Sequence, residues 1–278
     1  MPHYPLPARD RARYYCNMIS LPDSRSSRSL SQPPRTWHPK IFAHRGASGY
    51  LPENTVAAVS LALEMQADGI EIDVHRVEDR ILVLHDSPQK LVSRWAPARG
   101  PSLLAALRSM DVGNGHHIPF LEEVLELLAD ASAAQLNIEV KDPPLFRDLG
   151  CILNDRCPGL IRKRRVLVSS FYLRALAAFH QANPDIPAGC LTAKRPLRSI
   201  HLARSMHASS LHLPLDLCSP QLVAEAHQAG IQVLVFTVNT AREVASAAAS
   251  RVDGLFTDYP DYVRRLCQRS ALRRGDPP

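Results

Sequence analysis

The sequence predicts an α/β fold, a TIM-type (β/α)8 barrel with a small insertion after the second strand, and three observations carry that prediction. The chain has 278 residues, close to the ~250 that one such barrel needs. From Lys40 onward, eight short β-rich apolar runs alternate with longer segments of helical period. Only the second connection is much longer than the rest, as expected for an appendage on a regular repeat. An open doubly wound sheet is the competing architecture for the same alternation.

The strands are read as KIFAHRG (40–46), GIEIDVHR (69–76), QLNIEVK (135–141), RVLVSSF (165–171), PAGCLT (187–192), SSLHLP (209–214), IQVLVFTVN (231–239) and GLFTDYP (254–260). Between them apolar residues recur at helical spacing in TVAAVSLALEMQ, FLEEVLELLAD, LRALAAFHQ, PQLVAEAHQAG and AREVASAAAS. Asn54, two residues after Pro52, is expected to cap the first helix. After the second strand, ILVLHD (81–86) is expected to fold back as a hairpin through VEDR. Residues 87–119 then form the insertion, which a barrel would place over its mouth.

The net charge of +6 resides in the ends. Residues 1–40 carry seven Lys or Arg against two acidic residues, and residues 261–278 carry five against two. Residues 41–260 carry 21 against 23, a net of −2, which argues against a specific nucleic-acid partner. Three segments follow: a disordered basic extension (1–39), a barrel domain (40–265) and a basic C-terminal tail (266–278). Six scattered cysteines without CxxC spacing point away from zinc or a disulfide framework and toward a reducing, cytoplasmic setting. No run approaches the ~20 apolar residues of a transmembrane segment, and residues 1–40 lack the apolar core of a secretory signal. Nor does an apolar loop or amphipathic helix stand out as built to reach acyl chains. Oligomeric state leaves no signature.

The chemistry-bearing residues cluster at strand ends. A strand period of two puts Glu71 and Asp73 on one side of the second strand, and Glu139 and Lys141 on one side of the third, with Ile70, Ile72 and Val74 left to face helices. Three carboxylates in one barrel mouth repel one another unless neutralised, and a hard divalent cation such as Mg²⁺ or Ca²⁺ is the simplest partner. His44 ends the first strand and His85 ends the hairpin. Free imidazole titrates at about pH 6.5, which suits one ring to accept a proton while another donates. Arg45 offers a planar fork for a phosphate or carboxylate. Glu53, in PENT, is its ion-pair partner or a further metal ligand.

In order and spacing, HRG, PENT, GIEIDV, LHD, IPFLEEVL, NIEVK, VSSF, HQAGIQVLVFTVN and DGLFTDYP resemble the glycerophosphodiester phosphodiesterases over roughly residues 41–262. The resemblance implies a divalent metal and hydrolysis of a small-molecule glycerophosphodiester to glycerol 3-phosphate and an alcohol. It implies Glu71, Asp73 and Glu139 as metal ligands and His44 and His85 as the acid/base pair. Arg45 and Lys141 would hold the phosphate, with Glu53 and Phe236 in the substrate site. The chain departs from the family pattern at Val77, where Thr or Ser is common, and at Phe236, where Trp is common; both bear on substrate preference. The attacking oxygen is either the neighbouring glycerol hydroxyl, through a cyclic phosphate, or water. A sphingomyelinase-type phospholipase D and a non-catalytic phosphodiester-binding barrel are the rival readings.

Overall fold

A computed structural model of the chain describes residues 37–93, 102–130 and 133–273. Its strands fall where the apolar runs predict them: β1 (Lys40–Ala43), β2 (Gly69–Val77), β3 (Arg80–Val83), β4 (Gln135–Val140), β5 (Val166–Ser170), β6 (Ala188–Leu191), β7 (Ser210–Pro214), β8 (Gln232–Phe236) and β9 (Gly254–Thr257). All but β3 are parallel, and the sheet closes because β1 pairs with both β2 and β9. Lys40–Ala43 lies in register with Gly254–Thr257 at this seam. The helices are α1 (Val56–Glu64), α2 (Pro88–Ser93), α3 (Leu103–Arg108), α4 (Leu121–Asp130), α5 (Phe146–Arg156), α6 (Pro158–Arg162), α7 (Leu173–Ala182), α8 (Pro196–Ser205), α9 (Pro220–Gln228), α10 (Ala241–Ser250) and α11 (Pro260–Arg273).

Alternation along the strands sorts the core into two layers. Outward residues such as Ile70, Ile72, Val74, Ile138, Val168, Leu211 and Val235 are fully buried in the main apolar cluster, which the helices cover. Inside the barrel the lining divides. Phe42, Leu234 and Phe256 form a small apolar cluster on one side, whereas Glu71, Asp73, Asn137, Glu139, Ser169, Ser210 and His212 bury polar groups. Gly189 on β6 leaves room for His212: a Cβ there would lie 2.7 Å from the His212 ring.

Strand β2 outlasts the barrel. Its far half, from Val74 to Val77, pairs antiparallel with β3, so ILVLHD does form the expected hairpin. Over it the insertion builds its own small core, in which Val77, Leu82, Leu84, Leu107 and Ile118 are buried together. Val77 is thus a packing residue.

Three boundaries differ from expectation. The helix α1 is capped by Thr55, whose side chain accepts the Ala58 N–H at 3.1 Å, and not by Asn54. Asn54 instead takes a left-handed backbone (φ 59°) and turns its amide toward β2. At the start of the barrel, Trp37 is 8% exposed and its Nε1 donates to the Val252 carbonyl at 2.8 Å, so packing begins before residue 40. At the other end α11 continues to Arg273 across the boundary expected at 265, with Cys267 buried in the main cluster. The remainder of both expected tails, residues 1–36 and 274–278, lies outside the described residues.

Candidate active site

Parallel strands bring their C-terminal ends to one face, and β1, β2 and β4 are neighbours there. Register sets Glu71 opposite Asn137 and Asp73 opposite Glu139. One carboxylate oxygen from each of Glu71, Asp73 and Glu139 lies within 4.8 Å of the others. All three are buried.

Their support is unequal. Asp73 is well satisfied: Asn54 Nδ2 donates to Oδ2 at 2.9 Å, Lys141 Nζ lies 2.8 Å from Oδ1, and Arg45 Nε lies 3.2 Å from Oδ2. Burial pushes this carboxyl up, yet Lys141 and Arg45 together outweigh it and hold Asp73 below the usual carboxylate range. Glu139 pairs with Lys141, and burial still raises it. Glu71 has least. Its Oε2 accepts the Arg45 N–H at 2.9 Å, while Oε1 is buried with no hydrogen-bond partner. Burial, then the charges of Asp73 and Glu139, push Glu71 well above the ordinary range.

An orphaned, buried carboxylate oxygen is costly. Because its neighbours are hard oxygen donors with no thiolate among them, the residues fit Mg²⁺ or Ca²⁺. Lys141 and Arg45 already compensate the other two carboxylates; Glu71 is the one that a cation would relieve.

Arg45 has a left-handed backbone (φ 56°), and its Nη1 donates to both Glu53 oxygens at 2.9 and 2.8 Å. Glu53 therefore stands apart from the carboxylate cluster, as the ion-pair partner of Arg45. His44 lies beside the seam. Its Nδ1 is 2.8 Å from Asp258 Oδ1, and Asp258 also accepts Ser48 Oγ at 3.0 Å and Asn239 Nδ2 at 2.6 Å. Burial alone would raise Asp258, but these partners, His44 first, hold it below the usual range. His85 Nδ1 is 3.2 Å from Asp86 Oδ1, and the His85 carbonyl lies 3.2 Å from His75 Nε2.

Six of these residues, His44, Arg45, Glu71, His85, Glu139 and Lys141, line one cleft of about 240 Å³ together with Asn137, Phe171, Phe236 and Phe256. Phe236 packs on the Phe42, Leu234 and Phe256 cluster, giving the cleft an apolar wall opposite its charged one. His212 forms part of the floor. It is fully buried with Nε2 2.8 Å from Ser210 Oγ, and burial depresses it to about 3, so it stays neutral.

Two site residues escape a reading of the sequence. Asp258 stands in the quoted TDYP, and although the predicted barrel brings the last strand beside the first, strand pattern does not say which side chains meet across that seam. Asn54 sits in PENT, where its residue type suggested a helix cap.

The fold and its mouth define the class: a (β/α)8 barrel whose mouth gathers three buried carboxylates, Arg45, Lys141 and two histidines. The family model for glycerophosphoryl diester phosphodiesterases matches residues 44–262. A glycerophosphodiester phosphodiesterase of Bacillus altitudinis is 34% identical over 242 residues, covering 82% of this chain and 97% of the relative. One from Caldanaerobacter subterraneus is 31% identical over 251 residues, covering 82% and 98%. A phosphodiesterase of Oleispira antarctica, solved with the product sn-glycerol-3-phosphate, aligns with a TM-score of 0.69 and 27% identity over 84% of this chain and 97% of that one. The Thermotoga maritima glycerophosphodiester phosphodiesterase shares the fold, with a TM-score of 0.67 at 23% identity over 82% and 98%. The chain belongs to the glycerophosphoryl diester phosphodiesterase family.

Proposed function

We propose that this enzyme hydrolyses small glycerophosphodiesters to sn-glycerol 3-phosphate and the free alcohol, with a divalent cation, Mg²⁺ or Ca²⁺, held by Glu71, Asp73 and Glu139. The observation that carries the reading is the unpartnered Glu71 oxygen in a cleft that both histidines also line. The product-bound Oleispira relative supports the assignment of glycerol 3-phosphate.

When bound, the cation supplies charge neutralisation and Lewis acidity toward the phosphoryl group. Lys141 and Arg45 add fixed positive charge beside it. Arg45 is preoriented by Glu53 and Asp73, so little ordering is left for substrate to impose. Asp258 is an acceptor only, so neutral His44 carries its proton on Nδ1 and presents an unprotonated Nε2. His44 is thereby set to accept a proton from the attacking oxygen. His85 handles the complementary transfer at the leaving alcohol. Phe236 contacts the uncharged part of the substrate.

A cytoplasmic setting fits the free thiols of Cys151, Cys157, Cys190, Cys218 and Cys267. Among the described residues no helix is long and apolar enough to cross a membrane.

Phosphorus NMR of glycerophosphocholine turnover tests the function. Glycerol 3-phosphate is the expected product; phosphocholine, or faster release of ceramide phosphate from sphingomyelin, would overturn it.

A further inference from the structure

The near-zero net charge of residues 41–260 conceals a segregation. Residues 157–215 contain nine Lys or Arg and a single acidic residue, Asp185. This stretch builds one continuous sector of the barrel, from α6 through β5, α7, β6 and α8 into β7. The imbalance in sequence therefore becomes an imbalance in space. Arg174 on α7, Lys194 and Arg195 in the loop after β6, and Arg198 and Arg204 on α8 are exposed. Among the described residues none of these five has an acidic side chain within ion-pair distance.

Helix stability does not account for four of the five. Cations favour the C-terminal turn of a helix, where carbonyls are unpaired, and are disfavoured at the N-terminal turn. Arg204 obeys that rule. Arg174, Lys194, Arg195 and Arg198 stand within or just before the first turns of α7 and α8, where the helix field opposes them.

The same sector exposes apolar bulk. Of six large hydrophobic side chains exposed among the described residues, four are here: Phe171 (45%), Tyr172 (48%), Leu197 (52%) and Leu202 (42%). On α8, Leu197, Arg198, His201 and Leu202 follow at helical spacing on the solvent arc, while Ser199, Ile200 and Ala203 face the barrel.

We propose that the α7–α8 wall is a docking surface for an anionic phospholipid bilayer. Each Lys or Arg near such a surface gains from its negative potential, and exposed leucines and aromatics gain from entering the head-group boundary. A single-stranded nucleic acid would use the cations and the two aromatics but gain little from leucines on the cationic helix face. Phe171 also lines the catalytic cleft, so a docked wall holds one rim of the mouth at the lipid surface.

Flotation of the full chain with phosphatidylcholine vesicles, with and without phosphatidylglycerol, tests this surface. Binding is expected only to the phosphatidylglycerol vesicles and fades as salt rises. The triple variant Arg174→Glu, Arg198→Glu, Arg204→Glu should lose at least about tenfold in vesicle affinity, because each lost cation weakens the surface attraction. Leu197→Ser with Leu202→Ser should weaken binding at unchanged charge. Both variants should keep wild-type turnover of a soluble glycerophosphodiester; if the triple variant misfolds, the single variants Arg174→Gln and Arg198→Gln read the same loss. Absence of wild-type binding, equal binding to both vesicles, or undiminished binding by the variants would overturn the proposal. So would capture of single-stranded RNA without vesicle binding.

Discussion

His44 Nδ1 lies 2.8 Å from Asp258 Oδ1, and the two residues are 214 positions apart in the chain. The contact joins the end of the first strand to the end of the last. It fixes the ring's orientation and its tautomer together, as a carboxylate beside a general base does in other hydrolases.

Asp258→Asn tests that relationship. The amide can donate to Nδ1 and stabilise the wrong tautomer, so kcat should fall by on the order of 10²-fold or more while KM changes little. The basic limb of the pH–rate profile should be preserved and the acidic limb displaced. A proportional fall in kcat with an unaltered profile would mark Asp258 as structural only.

His44→Ala and His85→Ala should each reduce turnover by about 10²-fold to 10⁴-fold, the range for loss of one proton-transfer group. The wild-type pH–rate profile should be bell-shaped. Near-normal turnover in either variant would remove that histidine from the acid/base pair.

Exhaustive chelation should abolish activity, and Mg²⁺ or Ca²⁺ should restore it. Glu71→Gln should weaken cation affinity measured by calorimetry. The same change should raise the thermal midpoint of the chelated protein at neutral pH. The sign follows from the raised Glu71 carboxyl: its neutral form is favoured in the fold, so stability is lost as pH rises from its unfolded value through the folded one. Glutamine cannot ionise and escapes that loss. A lower midpoint in chelator would contradict the assignment of Glu71 as the uncompensated ligand.

Lys141→Met should destabilise the fold by about 3 kcal/mol in denaturant unfolding, because it strands Asp73 and Glu139 without their shared cation. Asp73→Asn in the Lys141→Met background should recover part of that loss. An additive double variant would show that the pair is not coupled.

Trp37→Ala should cost about 3 kcal/mol, the usual figure for emptying a large aromatic site. It also removes the hydrogen bond to the Val252 carbonyl. Thermal unfolding of the full chain with and without the substitution provides the comparison; an unchanged midpoint would mean that the first described residues are dispensable.

The alternation of apolar runs disclosed the barrel because each strand's pattern is local and has a period of two. By the same rule Glu71, Asp73, Glu139 and Lys141 are readable from the sequence as inward neighbours. The His44–Asp258 contact was not readable, since predicted closure brings two strands together but spacing does not say which side chains pair across them. Asn54 was misread for a related reason: a residue type that commonly caps helices was taken from the helix by two hydrogen bonds to Asp73 that come from another strand. Trp37 was hidden because a lone apolar residue in a basic, proline-rich stretch has no period at all. The charge segregation was present in the sequence, but a net count over the whole body averages it away.

Closure between β1 and β9 also sets the order in which competence is acquired. The carboxylates and Lys141 are all present by residue 141, whereas the partner that orients His44 stands 214 positions after that histidine. Contacts of such separation form late and slowly, because the intervening chain must be ordered first. A chain clipped before β9 would lack the carboxylate that orients the His44 ring. With His44 as the proposed base, turnover depends on the closed ring.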